Sequence, residues 1–382
     1  MWEELWALEN TARLSGALLL LITTGAVVCS ALFERRLWCR YLCPIGGMNG
    51  MFAKLAVIEL RADRGVCTAE CSTYACIKGG PGEAPPSPGA DRGLPTGGCP
   101  LFSHPASLTD NKDCTLCGVC VKGCAHSNVA LRLRPPGADL WAAPHTGSPE
   151  EVALMLLLLG AVGVHRAPAL LNLFAPLVNA SSSASDFSSF SFIHSSFTTH
   201  ALVSALLLLA PLALCRGADA LALALAPPSP RTSPAAPYAR LAYGWLPLVW
   251  AASLAHYASI FGAEAGLVLP RAAIFVGASP AWALAHVPHA SLAPAAVAFV
   301  QASLLVAGGG AATALTLHLG KPQQRAHSNA AAITGSGGGD GGGGGGAYSP
   351  ARVAAQCVGI AVAGLLLWPI TVTGPWLVTG GA

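Results

Sequence analysis

The chain has 382 residues, of which 53% are hydrophobic and only 10% charged, and its net charge is +3. Soluble domains carry about 25% charged residues, so this deficit indicates a membrane protein with the lipid bilayer as a partner. The net charge is small and no basic run is interleaved with aromatic residues, so nucleic acid is not an expected partner.

The N-terminal segment and first transmembrane helix occupy residues 1–33. Leu14 to Phe33 is a run of twenty uncharged residues, long enough to cross about 30 Å of hydrocarbon as a helix. Arg35, Arg36 and Arg40 follow this run directly. The positive-inside rule therefore predicts that the next segment lies on the cytoplasmic side, or the stromal side in a plastid.

Residues 34–150 form the polar part of the chain, where apolar runs are short and turn residues are frequent. Within it, residues 48–60 are predicted to form a short amphipathic helix on the bilayer. Residues 77–98 are rich in glycine and proline and indicate an irregular insertion. We expect this region to be a small α+β ferredoxin-like unit.

Five further apolar stretches follow, at 152–164, 200–215, 241–263, 294–319 and 353–372. We interpret 151–320 as transmembrane helices two to five, 321–352 as a disordered Gly-rich loop, and 353–382 as the last helix. The predicted fold is thus an all-α integral membrane bundle of about six helices with a ferredoxin-like insert.

Ten of the thirteen cysteines lie between Cys39 and Cys124. The clearest pattern among them is Cys114-x2-Cys117-x2-Cys120-x3-Cys124, the spacing of the bacterial ferredoxin run for [4Fe–4S] clusters. Zinc is the alternative, but a zinc site needs only four cysteines in two pairs and does not require the x2-x2-x3 spacing. Dense cysteines also favour metal ligation over a secreted disulfide scaffold.

A second cluster needs four more thiolates, and the looser set Cys67, Cys71, Cys76 and Cys99 can supply them. In two-cluster ferredoxins the fourth cysteine of a run ligates the other cluster. We therefore predict one cluster on Cys67, Cys71, Cys76 and Cys124, and the other on Cys99, Cys114, Cys117 and Cys120. The alternative is a single cluster, with Cys67, Cys71 and Cys76 structural or partly free.

A third pattern, Cys39-x3-Cys43-Pro44, directly follows the first apolar helix. Two cysteines four residues apart can share a helical face. They could ligate a cluster, form a redox disulfide or simply pack, and the spacing does not decide among these roles.

The stretch Cys-Arg-Tyr-Leu-Cys-Pro-Ile-Gly at 39–46 and the run at 114–124 resemble the membrane-bound polyferredoxins. That family is related to the quinol-oxidising subunit of periplasmic nitrate reduction and to the nitrous-oxide-reductase regulator. The resemblance covers roughly residues 13–135. The family has two Cys-x3-Cys-Pro stretches, whereas this sequence has one.

The expected function is electron transfer through two [4Fe–4S] clusters, between a membrane redox partner, with quinol as one candidate, and a soluble partner. The chain would be a component of an oxidoreductase and not a self-standing enzyme. The alternative is an assembly or regulatory protein for another redox enzyme. His165, His200 and His256 fall near one membrane face, where they could ligate haem, contact a quinone headgroup, or bond water.

Overall fold

The computed structural model describes residues 12–33, 37–80, 93–141, 147–165, 197–225, 238–289, 292–321 and 348–372. The chain divides into two compact units, residues 2–145 and residues 146–382. Most of the Gly-rich loop predicted at 321–352 lies outside the described residues.

The first unit contains the helices α1 (Ala12–Leu32), α2 (Pro44–Ala53), α3 (Arg64–Ala69), α4 (Ala75–Lys78), α5 (Val119–Gly123) and α6 (Ala138–Trp141), a π-turn at Trp38–Leu42, and the strands β1 (Ile58–Ala62) and β2 (Val129–Leu133). The second unit contains α7 (Pro149–His165), α8 (Phe197–Leu225), α9 (Tyr238–Ala242), α10 (Leu246–Glu264), α11 (Val268–Phe275), α12 (Pro280–His286), α13 (Pro294–Leu319) and α14 (Pro350–Val372). Short 3₁₀ turns at Tyr243–Trp245 and Ala265–Leu267 flank α10.

Helix α1 is apolar and presents its side chains outward. None of the residues 15–32 is buried in the structure, as expected for a helix that faces lipid. The π-turn packs back onto it, because the Trp38 ring lies where a Cβ on Gly25 would be only 2.5 Å away. The Cys39–Cys43 segment is therefore fixed at the end of the first helix.

The sheet of the first unit is a single antiparallel pair, with Ile58 opposite Leu133 and Ala62 opposite Val129. The predicted helix over 48–60 is wrong in its second half, since α2 ends at Ala53 and residues 58–60 belong to β1. The reason is tertiary. The alternating sequence of β1 finds its partner about seventy residues later in the chain.

Arg134, directly after β2, joins the sheet to α2. Its guanidinium donates to the carbonyls of Lys54 (3.0 Å) and Ala56 (2.9 Å) at the end of that helix, and to the carboxylate of Asp139. The Arg134 side chain is buried. It thereby satisfies carbonyls that no intrahelical donor reaches, and it neutralises a half-buried carboxylate.

The second unit is a helical bundle in which α10 packs on α13, α7 on α8, and α14 on both α8 and α13. Glycines allow the close contacts: a Cβ on Gly160 would be 2.3 Å from the Leu208 carbonyl oxygen, and one on Gly308 would be 2.3 Å from the Ala251 Cβ. Small residues at such crossings are typical of membrane helices, where close backbone packing drives association.

Five stretches are long and apolar enough to cross a membrane, at 15–32, 202–225, 238–275, 294–319 and 350–369. The chain is thus a multi-pass membrane protein with a mostly helical fold. The predicted span at 152–164 lies in α7, a helix of 17 residues that packs inside the bundle. Val152, Met155 and Leu156 on one side of it are fully buried, whereas Leu154, Leu157 and Leu158 are half-buried.

Charged residues meet at one end of this bundle, which the sequence analysis did not predict. Arg352 at the start of α14 forms a bidentate, buried ion pair with Asp219 near the end of α8, at 2.8 and 2.9 Å. At the same end of these helices, Tyr243 donates to Glu151 at the start of α7. The starts of α7 and α14 and the last turns of α8 therefore share one end of the bundle.

We predict that Arg134→Met lowers the free energy of unfolding of the first unit by about 3 kcal/mol. The variant removes one partner of a buried charged cluster, and the Asp139 carboxylate loses its ion pair with Arg134. The matched control is Arg132→Met, two residues earlier in β2, where the side chain is exposed. Urea unfolding in detergent measures the free energy of unfolding of both variants. Equal losses in the two variants would contradict the role given to Arg134.

Candidate iron–sulfur sites

Two cavities of similar size lie in the first unit, and each is lined by four cysteines. The first, of about 410 Å³, lies between α3, α4 and the segment after α5. Its sulfur-bearing residues are Cys67, Cys71, Cys76 and Cys124.

The second cavity, of about 380 Å³, lies beside the segment that leads into α5. Its cysteines are Cys99, Cys114, Cys117 and Cys120. The structure therefore brings together the same two groups of four side chains that the ferredoxin spacing predicts. Cys124 lines the first cavity, away from the three cysteines that precede it in the run.

The two cavities are neighbours. Pro105 lines both of them and is itself buried. The two sites therefore share one wall residue.

Left-handed backbone shapes the loops that carry the cysteines. Leu116 and Gly118, on either side of Cys117, have φ of +53° and +74°. Tyr74, two residues before Cys76, has φ of +52°. Reversals of this kind turn successive cysteines toward one centre, which an extended or helical backbone would not do.

Cys99 reaches its cavity although residues 81–92 intervene after α4. A bridge between Gly80 and Thr96 closes the base of this insertion, and the Cys99 N–H donates to the Ile77 carbonyl at 3.0 Å. Gly98 allows that contact: its φ is +78°, and an added Cβ would be 2.2 Å from the Ile77 oxygen.

Without metal, the most strongly desolvated thiol of each cavity retains its proton. Burial, followed by the neighbouring thiols of the same cavity, raises the pKa of Cys76 to about 12 and that of Cys120 to about 11. Thiolates are the form that binds metal, so loading either cavity must release protons. Ionisation of clustered, desolvated thiols is unfavourable when no cation is near. A positively charged iron core would stabilise the thiolates.

The first cavity carries polar groups beside its cysteines. The Asn128 amide donates to the Cys67 sulfur at 3.2 Å, and Asn128 is itself held by two hydrogen bonds with the Asp63 backbone, at 2.8 and 3.1 Å. His104 and His126 also line this cavity. Burial lowers the pKa of His104 and favours its neutral form. The sequence analysis identified neither Asn128 nor His104, since both are distant in sequence from Cys67.

Among the described residues, no three His, Cys, Asp or Glu side chains converge as ligands of one metal ion. A mononuclear zinc site needs its sulfurs about 2.3 Å from a single point. A cubane spreads four thiolates over four irons, so its ligands surround a space and do not meet at a point. All thirteen cysteines are free thiols, which leaves each cavity's set available.

Cys39 and Cys43 lie apart from both cavities. Cys39 is exposed and Cys43 is half-buried in the π-turn segment after α1. The Cys43 N–H donates to the Trp38 carbonyl at 2.8 Å, and α2 begins at the next residue. The two cysteines line neither of the cavities described above.

His165 and His256 of the second unit form a stacked pair. The rings of His165 and His256 are 5.3 Å apart with an interplanar angle of 27°, and the side chain of His200 lies outside the described residues. Two axial haem ligands must present nitrogens to opposite sides of one iron. Rings stacked face to face do not have that geometry, so this pair does not fit haem ligation.

Comparison with known proteins gives two matches. A family of 4Fe–4S binding domains matches residues 15–61, which include Cys39 and Cys43. The candidate electron transport protein YccM of Escherichia coli (strain K12) is 28% identical over 120 residues. Both matches support a membrane-associated 4Fe–4S family. They likewise support iron–sulfur electron transfer.

These matches are partial. The YccM alignment covers 31% of this chain and 28% of the relative. The family match ends before Cys67, the first of the eight cysteines that line the cavities. No solved structure matches the chain.

We predict that Gly98→Ala removes about half of the iron from the purified protein, because its Cβ would push the Ile77 carbonyl away and displace Cys99. Gly97→Ala is the control, since nothing lies within 4 Å of a Cβ at that position. Iron and sulfide counting after anaerobic purification compares the two variants. Equal iron content in both would show that Cys99 does not need this contact.

Proposed function

We propose that this protein is a membrane-anchored electron carrier with two [4Fe–4S] clusters in its first unit. The observation that carries the proposal is the pair of similar cavities, each lined by four cysteines. One cluster is assigned to Cys67, Cys71, Cys76 and Cys124. The other is assigned to Cys99, Cys114, Cys117 and Cys120.

The residues present fit such clusters. Each cavity offers four sulfurs, and Cys76 in the first cavity is buried. Asn128 contributes an N–H donor to a ligand sulfur, a contact that orients the ligand and stabilises its thiolate. When bound, clusters of this type take up and release single electrons.

The shared wall at Pro105 supports transfer between the two sites without any movement of the chain. The protein itself breaks no substrate bond in this proposal. One end of the route faces a soluble redox partner and the other a membrane redox partner, for which quinol is one chemical candidate. The apolar helix α1 anchors the unit to the bilayer in which that partner resides.

The side of the membrane is proposed from charge. Arg35, Arg36 and Arg40 directly follow the first span, so the cluster unit is assigned to the cytoplasmic or stromal side. Arg216, Arg240 and Arg352 then lie on the same side in a topology of six spans, in which α7 is the second. The buried pair of Asp219 and Arg352 supports this grouping, because it joins the last turns of α8 to the start of α14.

The cofactor prediction is that the full chain, purified anaerobically, holds about eight irons and eight sulfides. Cys71→Ser and Cys117→Ser should each lose one cluster, about half of the iron. Cys39→Ser and Cys43→Ser are matched controls that should keep both clusters. Iron counting and EPR of the reduced protein measure how many clusters each variant retains. Stoichiometric zinc without visible absorption in the wild type would refute the proposal, and halved iron in Cys43→Ser would move a cluster to the end of α1.

The topology prediction uses three single epitope insertions in intact membrane vesicles or cells. Tags placed within 81–92 or within 335–346 should become accessible to antibody only after permeabilisation. A tag at Gly277, where nothing lies within 4 Å of an added Cβ, should be accessible from outside without it. Access to the 81–92 tag from outside would reverse the proposed orientation.

A further inference from the structure

His104 is the residue from which this inference starts. It lines the first cavity together with Cys67, Cys71, Cys76 and Cys124. The residue lies in the stretch between Cys99 and Cys114, so its place beside the other set of cysteines comes from folding and not from sequence proximity.

The hydrogen bonds of His104 determine where its proton is. The backbone N–H of Ala106 donates to Nδ1 at 3.1 Å. A nitrogen that accepts a hydrogen bond carries no proton, so the neutral ring has its proton on Nε2. An imidazolium would place a second donor against the Ala106 N–H, so this geometry excludes it.

The Nε2–H group of this tautomer is a buried donor. It has no hydrogen-bond partner among the described residues. The ring is held in orientation by the Ala106 contact and by the Tyr74 ring, packed edge to face at 6.0 Å. A buried N–H without an acceptor is unfavourable, and in this cavity the sulfurs of a bound cluster are the acceptors that would satisfy it.

We infer that His104 donates its Nε2–H to a sulfur of the cluster bound by Cys67, Cys71, Cys76 and Cys124, and thereby raises the reduction potential of that cluster. The inference rests on the proposed function. One-electron reduction, by dithionite in the test below, adds one negative charge to the cluster, and a fixed donor stabilises the more negative state.

The second cavity has a different environment. Besides its cysteines, the described lining consists of Leu60, Leu101, Ser103, Pro105, Leu108, Asp113, Thr115 and Val119, and includes no histidine. The His104 contact therefore belongs to one cluster of the pair. The other cluster serves as an internal reference within the same sample.

The test is a redox titration of the full chain in detergent, followed by EPR. His104→Phe keeps a ring and removes both nitrogens, whereas His104→Gln keeps an N–H donor of similar reach. We expect the Phe variant to shift the reduction equilibrium of one cluster about tenfold toward the oxidised form, a fall of about 59 mV for one electron. The Gln variant should recover most of this shift, and the second cluster should not move.

The affected cluster is identified by combining His104→Phe with Cys71→Ser or with Cys117→Ser. The shift should disappear when Cys71 is replaced and persist when Cys117 is replaced. Two unchanged potentials in the Phe variant, with full iron content, would overturn the role of His104 while leaving the clusters in place. A wild-type protein without a [4Fe–4S] signal would overturn the proposed function itself.

A second measurement leaves His104 itself unchanged. In protein labelled with ¹⁵N-histidine and carrying His126→Asn, pulsed EPR of the reduced state should detect one weakly coupled histidine nitrogen. His126 is replaced because it lines the same cavity. Absence of a histidine coupling in that sample would overturn the inference.

Discussion

The antiparallel pairing of β1 with β2 is the constraint on which the cluster unit depends. It joins the segments that precede and follow all eight cavity cysteines. The chain between Ala62 and Val129 is therefore a loop closed by the strand pair. Asp63 and Asn128 fasten the open end of the pair through reciprocal hydrogen bonds, and Asn128 continues from there to the Cys67 sulfur. Asn128 thus helps to close this loop and also contacts a candidate cluster ligand. Arg134 extends the connection to α2 and hence toward the membrane helix.

Thiol chemistry explains why so small a unit can be stable in one arrangement. Burial, followed by the neighbouring thiols, raises the pKa of Cys76 in one cavity and of Cys120 in the other, so these thiols resist ionisation. Metal loading converts this unfavourable set into ligands, so the free energy of cluster binding is also free energy of folding. We therefore regard cluster insertion and final folding of the loops as coupled events.

Short-range spacing was the most informative part of the sequence. The x2-x2-x3 spacing predicted a crossed grouping of eight cysteines, and the structure places those two groups of side chains in the linings of two cavities. Features that depend on distant partners could not be predicted. The helix expected over 48–60 gives way to β1 because β2 pairs with it, and His104 approaches the Cys67 group only through the fold. Apolar runs likewise predicted the membrane helices but not the Asp219–Arg352 pair, which needs two helices to meet.

The bridge between Gly80 and Thr96 has an evolutionary and practical consequence. Because the insertion is closed at its base, chain can be added or removed beyond it while Cys99 stays tied to Ile77. Doubling the length of a flexible loop costs only about 0.6 kcal/mol in closure entropy. The length and sequence of this segment can therefore change at little energetic cost. It is also a suitable site for an affinity tag, because an insertion there leaves the cysteines of both cavities in place.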